Sequence, residues 1–221
     1  MIKQMIVDVD GVLFNSTKVW EDLPLEFVKV FHCEMHDEVV AALRTLTLKQ
    51  GIEYIITYYH LPLTYQEAND VLHGLLEDYY QNKVEMKKEV VAFLKALRKK
   101  NIKLHVVSSN GHHLLVKSFK KHGIYEIFDS IKTCDEIGYD KRSTKLYEHI
   151  ASDYDIKPNE TMVIEDTYHA IKNAKAVGYH TIGVEDLSNC NVFANMEQDC
   201  DLIFYKGDDA INMLEKMKSF I

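Results

Sequence analysis

The sequence predicts an α/β fold, a doubly wound parallel sheet that is interrupted near its start by an inserted all-helical domain. Residues 6–14 begin with an apolar run that leads into two carboxylates, which is typical of a buried strand that ends at a charged rim. Helical spacing of apolar residues then continues to about residue 87, and strands alternate with helices from there onward. We therefore predict a core domain of residues 1–14 and 88–221 and a helical domain of residues 15–87.

The first predicted strand ends in two carboxylates, Asp8 and Asp10, which are followed by Gly11. Glycine allows the backbone to leave a strand sharply. Like charges a few ångströms apart raise each other's pKa, and burying both is costly unless a cation lies between them. The pair therefore indicates either a bound Mg²⁺ or a shared proton.

The inserted domain has apolar residues at the three- and four-residue spacing of helices. Asn15 and Ser16 are suitable caps for its first helix. Thr64 and Glu67 match a capping box at the start of its last helix. The predicted helices that follow the first one cover residues 36–43, 49–59 and 64–82.

The remainder of the chain alternates between helices and short apolar strands. Short connections in such a series produce a parallel sheet with helices on both faces. The predicted strands cover residues 102–107, 128–133, 161–164, 180–184 and 201–205. The predicted helices cover residues 89–100, 112–122, 143–152, 167–177 and 208–220.

Polar side chains follow three of the predicted strands. They are Asp8 and Asp10 after the first strand, Ser108, Ser109 and Asn110 after the second, and Glu165 and Asp166 after residues 161–164. In open parallel sheets the ligand lies beyond the carboxyl ends of the strands, so we expect these side chains to converge there. Carboxylates together with hydroxyl groups suit a hard cation and a phosphoryl group.

Composition excludes several other classes of protein. The net charge of −8, from 34 acidic and 26 basic residues, argues against a nucleic-acid-binding protein. The four cysteines form no C-x-x-C pair, so we expect reduced thiols in a cytoplasmic protein. No uncharged apolar stretch reaches the ~20 residues of a membrane span. The sequence leaves both a monomer and a dimer open.

Four stretches in order resemble the motifs of a known family. Residues 8–13 match D-x-D-G-[VT]-L, and Ser108 follows an apolar strand as the second motif requires. Lys141 and Tyr147 match the third motif without its two prolines, and residues 164–167 match [IV]-E-D-S as I-E-D-T. The sequence thus resembles the haloacid dehalogenase-like hydrolases, in the branch with phosphoglycolate phosphatase and β-phosphoglucomutase. In that branch the helical insert is a cap domain.

The resemblance implies a role for each catalytic position. Asp8 would be the nucleophile that forms an aspartyl-phosphate, and Asp10 would act first as general acid and then as general base. Ser108 would donate a hydrogen bond to a phosphoryl oxygen. Lys141 would offset the excess negative charge, although Lys145, one helical turn further on, is an alternative.

The resemblance also implies a Mg²⁺ ion and a small phosphate ester as ligands. The carboxylates of Asp8 and Asp166 and the backbone carbonyl of Asp10 would hold the ion, with Glu165 nearby or acting through water.

The resemblance further implies substrate contacts from both domains. Ser109 and Asn110 are expected to contact the substrate beside the second motif. Arg44 and Lys49, in the turn over residues 43–50, are expected to contact it from the cap domain.

These expectations favour a Mg²⁺-dependent phosphatase that acts on a small phosphorylated metabolite. One alternative is a β-phosphoglucomutase-like mutase, in which the phosphoryl group passes to a second hydroxyl instead of water. A phospho-acceptor domain or a binding protein without enzymatic activity is a further alternative.

Overall fold

In the computed structural model, which describes residues 1–43 and 45–221, six strands form one parallel sheet. The strands are β1 (Gln4–Val7), β2 (Lys103–Ser108), β3 (Ser130–Thr133), β4 (Thr161–Glu165), β5 (His180–Val184) and β6 (Leu202–Phe204). Their order across the sheet is β3-β2-β1-β4-β5-β6. The predicted doubly wound α/β fold is confirmed.

Helices connect these strands along the chain. They are α1 (Thr17–Val30), α2 (Asp37–Leu43), α3 (Leu48–Tyr58), α4 (Tyr65–Asn82), α5 (Lys88–Lys99), α6 (His112–Lys121), α7 (Cys134–Ile137), α8 (Thr144–Asp153), α9 (Tyr168–Val177), α10 (Phe193–Asp199) and α11 (Ala210–Lys216). The sequence pattern did not predict α7 or α10, which are only four and seven residues long. Periodicity is a weak signal over so few residues. No helix in the described part of the chain is long and apolar enough to cross a membrane.

Contacts between residues divide the chain into two units. Residues Met1–Thr17 and Glu85–Ile221 form the sheet unit, and residues Lys18–Val84 form the helical unit. The cap role of the helical unit stays a prediction.

Within the helical unit, α4 begins with the predicted capping box, because the Thr64 and Glu67 side chains each accept a hydrogen bond from the other residue's backbone N–H. Apolar side chains of α1, α3 and α4, among them Leu23, Ile52 and Leu72, line a pocket of about 280 Å³ in this unit.

Strand β1 lies at the point where the strand order reverses. Its neighbours are β2 on one side and β4 on the other, and Val7 is in register with both Val106 and Ile164. The carboxyl ends of these three strands therefore meet at one edge. In open α/β sheets such a reversal point opens a crevice where ligands bind. Beneath it, Ile6, Val107 and Val163 are buried in the apolar core.

Candidate active site

Three buried carboxylates meet at the carboxyl edge of β1 and β4. Asp8 follows β1, Glu165 is the last residue of β4 and Asp166 comes directly after it. Their exposed fractions are only 7%, 1% and 4%. One carboxylate oxygen from each of the three lies within 4.8 Å of the other two. The sequence-predicted metal ligands other than Asp10 thus form one cluster, in a geometry that could hold a metal ion.

Lys141 extends into this cluster from the loop between α7 and α8. Its ammonium contacts Asp8 Oδ1 and lies 3.1 Å from Glu165 Oε1, and its side chain is only 10% exposed. Lys145, the alternative considered from the sequence, is exposed on α8. The geometry therefore favours Lys141 as the cation beside the proposed nucleophile.

Burial of so many charges shifts their pKa values. Desolvation, followed by the charge of Glu165, raises the pKa of Asp8 well above its usual range despite Lys141. Burial and the charge of Asp8 raise the pKa of Asp166 to about 7, although Ser188 and Lys141 oppose the shift. Burial lowers the pKa of Lys141, but Asp8 and Glu165 outweigh burial and raise it overall.

These shifts indicate that the cluster is short of positive charge. Lys141 supplies one ammonium to Asp8, Glu165 and Asp166 together. Oxygen ligands with excess negative charge are the donor set that Mg²⁺ and other hard divalent cations prefer. The residues therefore fit a divalent cation.

Protein groups already occupy both carboxylate oxygens of Glu165. Oε1 accepts hydrogen bonds from Lys141 at 3.1 Å and from the Thr167 hydroxyl at 2.6 Å. Oε2 accepts one from the backbone N–H of Asp166 at 3.1 Å. This arrangement favours contact between Glu165 and a cation through water.

Asp166 is held by the loop after β5, which no sequence motif marks as functional. The Ser188 hydroxyl donates to Asp166 Oδ2 at 2.6 Å, and the side-chain amide of Asn189 donates to the Asp166 carbonyl at 2.8 Å. Both residues follow β5, which lies beside β4 in the sheet. The sequence indicates only that a strand precedes them.

Gly11 is required where the chain turns beside Asp166. Its φ is +70°, and an added Cβ would lie 2.2 Å from Asp166 Oδ2. We expect Gly11→Ala to reduce the free energy of unfolding by at least about 1–2 kcal/mol, the cost of left-handed backbone in an L-residue. The displaced Asp166 should also reduce turnover. Thermal denaturation and steady-state kinetics test this, and an active variant of unchanged stability would contradict it.

The side chains of Ser16 and Asn110 orient Asp10. The Ser16 hydroxyl donates to Oδ1 at 2.5 Å and the Asn110 side-chain amide donates to Oδ2 at 2.6 Å. Ser16 was expected, with Asn15, to cap α1. Its hydroxyl also donates to the Phe14 carbonyl at 3.4 Å, so it stabilises the turn that contains Asp10. Asn110, which is expected to contact substrate, thus orients Asp10, the proposed general acid and general base.

The two serines after β2 differ in environment. Ser108 is fully buried and its hydroxyl accepts the backbone N–H of Asn110 at 3.1 Å. Ser109 is exposed, with its hydroxyl 3.7 Å from the Cys134 thiol. Both lie at the same sheet edge as Asp8, because Ser108 ends β2 and β2 pairs with β1.

The predicted substrate contacts of the helical unit remain predictions. Lys49 lies on α3 with its ammonium 5.6 Å from the centre of the Tyr65 ring. Arg44 lies outside the described residues.

A family model described as haloacid dehalogenase-like hydrolase matches residues 5–184. The chain belongs to this family of hydrolases and is therefore an enzyme of that class.

Relatives and solved structures agree with the family. The "Probable pseudouridine-5'-phosphatase" of Saccharomyces cerevisiae is 27% identical over 98% of this chain and 95% of its own length. The pyrophosphatase PpaX of Anoxybacillus flavithermus is 24% identical over 83% of each chain. A "putative beta-phosphoglucomutase" structure from Thermotoga maritima superposes with a TM-score of 0.79 at 15% identity over the whole of both chains, which is a likeness of fold.

Proposed function

We propose that this enzyme is a Mg²⁺-dependent phosphatase that hydrolyses a small phosphorylated metabolite through an aspartyl-phosphate. The observation that carries the proposal is the setting of Asp8. Its buried carboxylate lies at the strand-order reversal, in contact with Lys141 and within 4.8 Å of Asp166. A carboxylate beside a cation and a second acidic group suits nucleophilic attack on phosphorus.

The proposed ligands of Mg²⁺ are the carboxylates of Asp8 and Asp166 and the backbone carbonyl of Asp10. Glu165 would contribute through water, since its oxygens accept three protein hydrogen bonds. When bound, Mg²⁺ neutralises phosphoryl charge and orients the group for in-line displacement.

The reaction then proceeds in two steps on Asp8. A carboxylate oxygen of Asp8 attacks phosphorus, the bond from phosphorus to the ester oxygen breaks, and the carboxylic acid of Asp10 gives that oxygen its proton. Water next attacks phosphorus, Asp10 takes a proton from the water, and the bond to Asp8 breaks to release phosphate. Ser16 and Asn110 keep the Asp10 carboxyl oriented in both steps.

Ser108 and Lys141 would stabilise the charge that develops on the phosphoryl oxygens. The Ser108 hydroxyl accepts from the Asn110 N–H, so its own proton is available to a phosphoryl oxygen. Lys141 remains charged because Asp8 and Glu165 raise its pKa. Fixed donors in a buried site lower the barrier more than they would in water.

Selection of the substrate is proposed to come from the helical unit and from Ser109, with Arg44 and Lys49 as contacts to the leaving group. The names of the yeast and Anoxybacillus relatives, a pseudouridine-5'-phosphatase and a pyrophosphatase, support a small phosphorylated compound as substrate.

The four cysteines are free, which supports the expected cytoplasmic location.

Metal removal tests the proposal directly. We expect a panel of phosphate esters assayed with Mg²⁺ to include compounds from which free phosphate is released. EDTA should reduce this release to background and added Mg²⁺ should restore it, because the cluster is short of positive charge without the ion. The matched assay follows conversion between sugar-phosphate isomers. Conversion without phosphate release would establish the mutase alternative, and release that EDTA does not affect would contradict the metal requirement.

A further inference from the structure

Residues at the two connections between the units both contact the buried carboxylate of Asp186, which belongs to the sheet unit. The chain leaves the sheet unit after Thr17 and returns to it at Glu85. The Thr17 hydroxyl donates to Asp186 Oδ1, and the Lys87 ammonium lies 2.9 Å from Asp186 Oδ2. The Lys87 and Asp186 side chains are only 10% and 7% exposed. Water is thus largely excluded from an ion pair that joins both connections to the loop after β5.

Lys87 has a second acceptor in the active-site turn. Its ammonium donates to the Gly11 carbonyl at 2.5 Å, one residue beyond Asp10. Burial raises the pKa of Asp186, but the hydrogen bonds from Lys87 and Thr17, with the charge of Lys87, outweigh burial and lower it. The Asp186 carboxylate is therefore ionised and bonded to both connections.

The loop that carries Asp186 also holds Asp166. Asp186 caps a short 3₁₀ turn, since its Oδ1 accepts the Ser188 N–H at 3.2 Å and its own N–H donates to Asn189 Oδ1 at 3.2 Å. The next atoms along this turn are the Ser188 hydroxyl and the Asn189 amide, which bond Asp166 at 2.6 and 2.8 Å. Hydrogen bonds and the covalent structure of the turn thus link Thr17 to Asp166.

We propose that Asp186 is a positioning residue that couples both connections of the helical unit to the orientation of Asp166. The inference rests on the proposed function in that Asp166 is there a ligand of Mg²⁺. Groups that orient metal ligands without touching the metal typically contribute 10–100-fold to affinity or activity. A displacement at either connection would reach Asp166 through the turn of Asp186.

A double-mutant cycle on Thr17 and Ser188 tests the coupling. Thr17→Val removes the bond at one end of the network and Ser188→Ala removes the bond at the other. We expect each variant to weaken Mg²⁺ binding about tenfold, as measured by calorimetry on the full chain without substrate. The double variant should lose less than the product of the two, because the Asp186 turn is already released. Losses that multiply, or no loss in Thr17→Val, would overturn the proposal.

Hydrogen exchange provides a second readout on Asp186→Asn, which keeps the size of the side chain and removes its charge. We expect faster exchange over residues 14–18, 84–88 and 165–168, read by mass spectrometry. The control is Asp208→Asn, which breaks the ion pair with Lys216 in the same unit and should leave these three segments unchanged. Faster exchange confined to residues 185–192 would show a merely local role and overturn the proposal.

These readouts separate the inference from the proposed function. Exchange needs neither Mg²⁺ nor substrate, so a chain that hydrolyses no ester would contradict the phosphatase proposal and still reveal whether Asp186 couples the connections. If Asp186→Asn does not fold, Thr17→Val and Ser188→Ala each remove one hydroxyl donor to a carboxylate without removing a charge, and the same three segments are compared in them. Unchanged exchange over residues 165–168 in Thr17→Val would then overturn the coupling.

Discussion

Asp8→Asn should reduce turnover by at least about 10⁴-fold, because an amide cannot form the aspartyl-phosphate. The fold should survive the change. Asn has the same size as Asp, and Lys141 keeps Glu165 at 3.1 Å as its partner. Removal of the charge also removes a desolvation cost, since burial raises the pKa of Asp8 and so makes its ionised form unfavourable in the folded state. Phosphate release with Mg²⁺, together with thermal denaturation in metal-free buffer, measures both effects.

The matched control for this variant is Asp140→Asn. Asp140 forms an exposed ion pair with Arg142 at 2.9 Å, one residue from Lys141 in sequence. Its loss should leave turnover unchanged and the free energy of unfolding within about 0.5 kcal/mol. Full activity in Asp8→Asn would remove Asp8 as nucleophile. An inactive variant that is also unfolded would contradict the argument that Lys141 and Glu165 suffice to hold the site.

The sequence predicted the carboxyl edge of the sheet because the information there is local. Asp8, Ser108 and Glu165 each follow an apolar run, and parallel strands place their carboxyl ends on one side. The backbone alone then brings the three positions together. The capping box of Thr64 and Glu67 was predicted for the same reason, since its two residues are three apart.

The hydrogen-bond partners of the site residues could not be predicted from the sequence. They are distant along the chain, and a polar side chain has many possible partners. Ser188 lies 22 residues from Asp166, and Lys87 lies 99 residues from Asp186. Neither pair follows from periodicity or strand order. Ser16 illustrates the same difficulty at short range, since a hydroxyl before a helix is a typical cap, yet the compact turn after β1 directs it to Asp10.

The charge balance of the site depends both on the residues that the sequence indicates and on the contacts that only the structure shows. Sequence alone indicates several acidic residues and one of two lysines, but only the buried geometry shows that Lys141 serves both Asp8 and Glu165. Because the low dielectric of a buried site strengthens electrostatic interactions, we expect Lys141 to contribute to the stability of the fold as well as to catalysis. That double role predicts a large loss of stability when Lys141 is replaced.

Lys141→Met should reduce the free energy of unfolding by about 3–5 kcal/mol in metal-free buffer, because it leaves buried carboxylates without their cation. The deficit should grow with pH. A carboxyl such as Asp8, with a folded pKa above its unfolded value, carries no penalty below both values and loses stability as pH rises between them. Turnover with Mg²⁺ should fall about 10²–10³-fold, since the phosphoryl charge loses a fixed donor. Denaturant titrations at pH 5 and pH 8, with steady-state kinetics, measure these changes.

Two variants decide whether the charge argument is correct. Lys141→Met combined with Glu165→Gln should recover part of the lost stability without recovering activity, because one unpaired charge is gone while the phosphoryl donor is still missing. Lys145→Met, an exposed change one turn along α8, should leave stability within about 0.5 kcal/mol and turnover unchanged. A larger loss of turnover in Lys145→Met than in Lys141→Met would reverse the assignment of the phosphate-facing lysine.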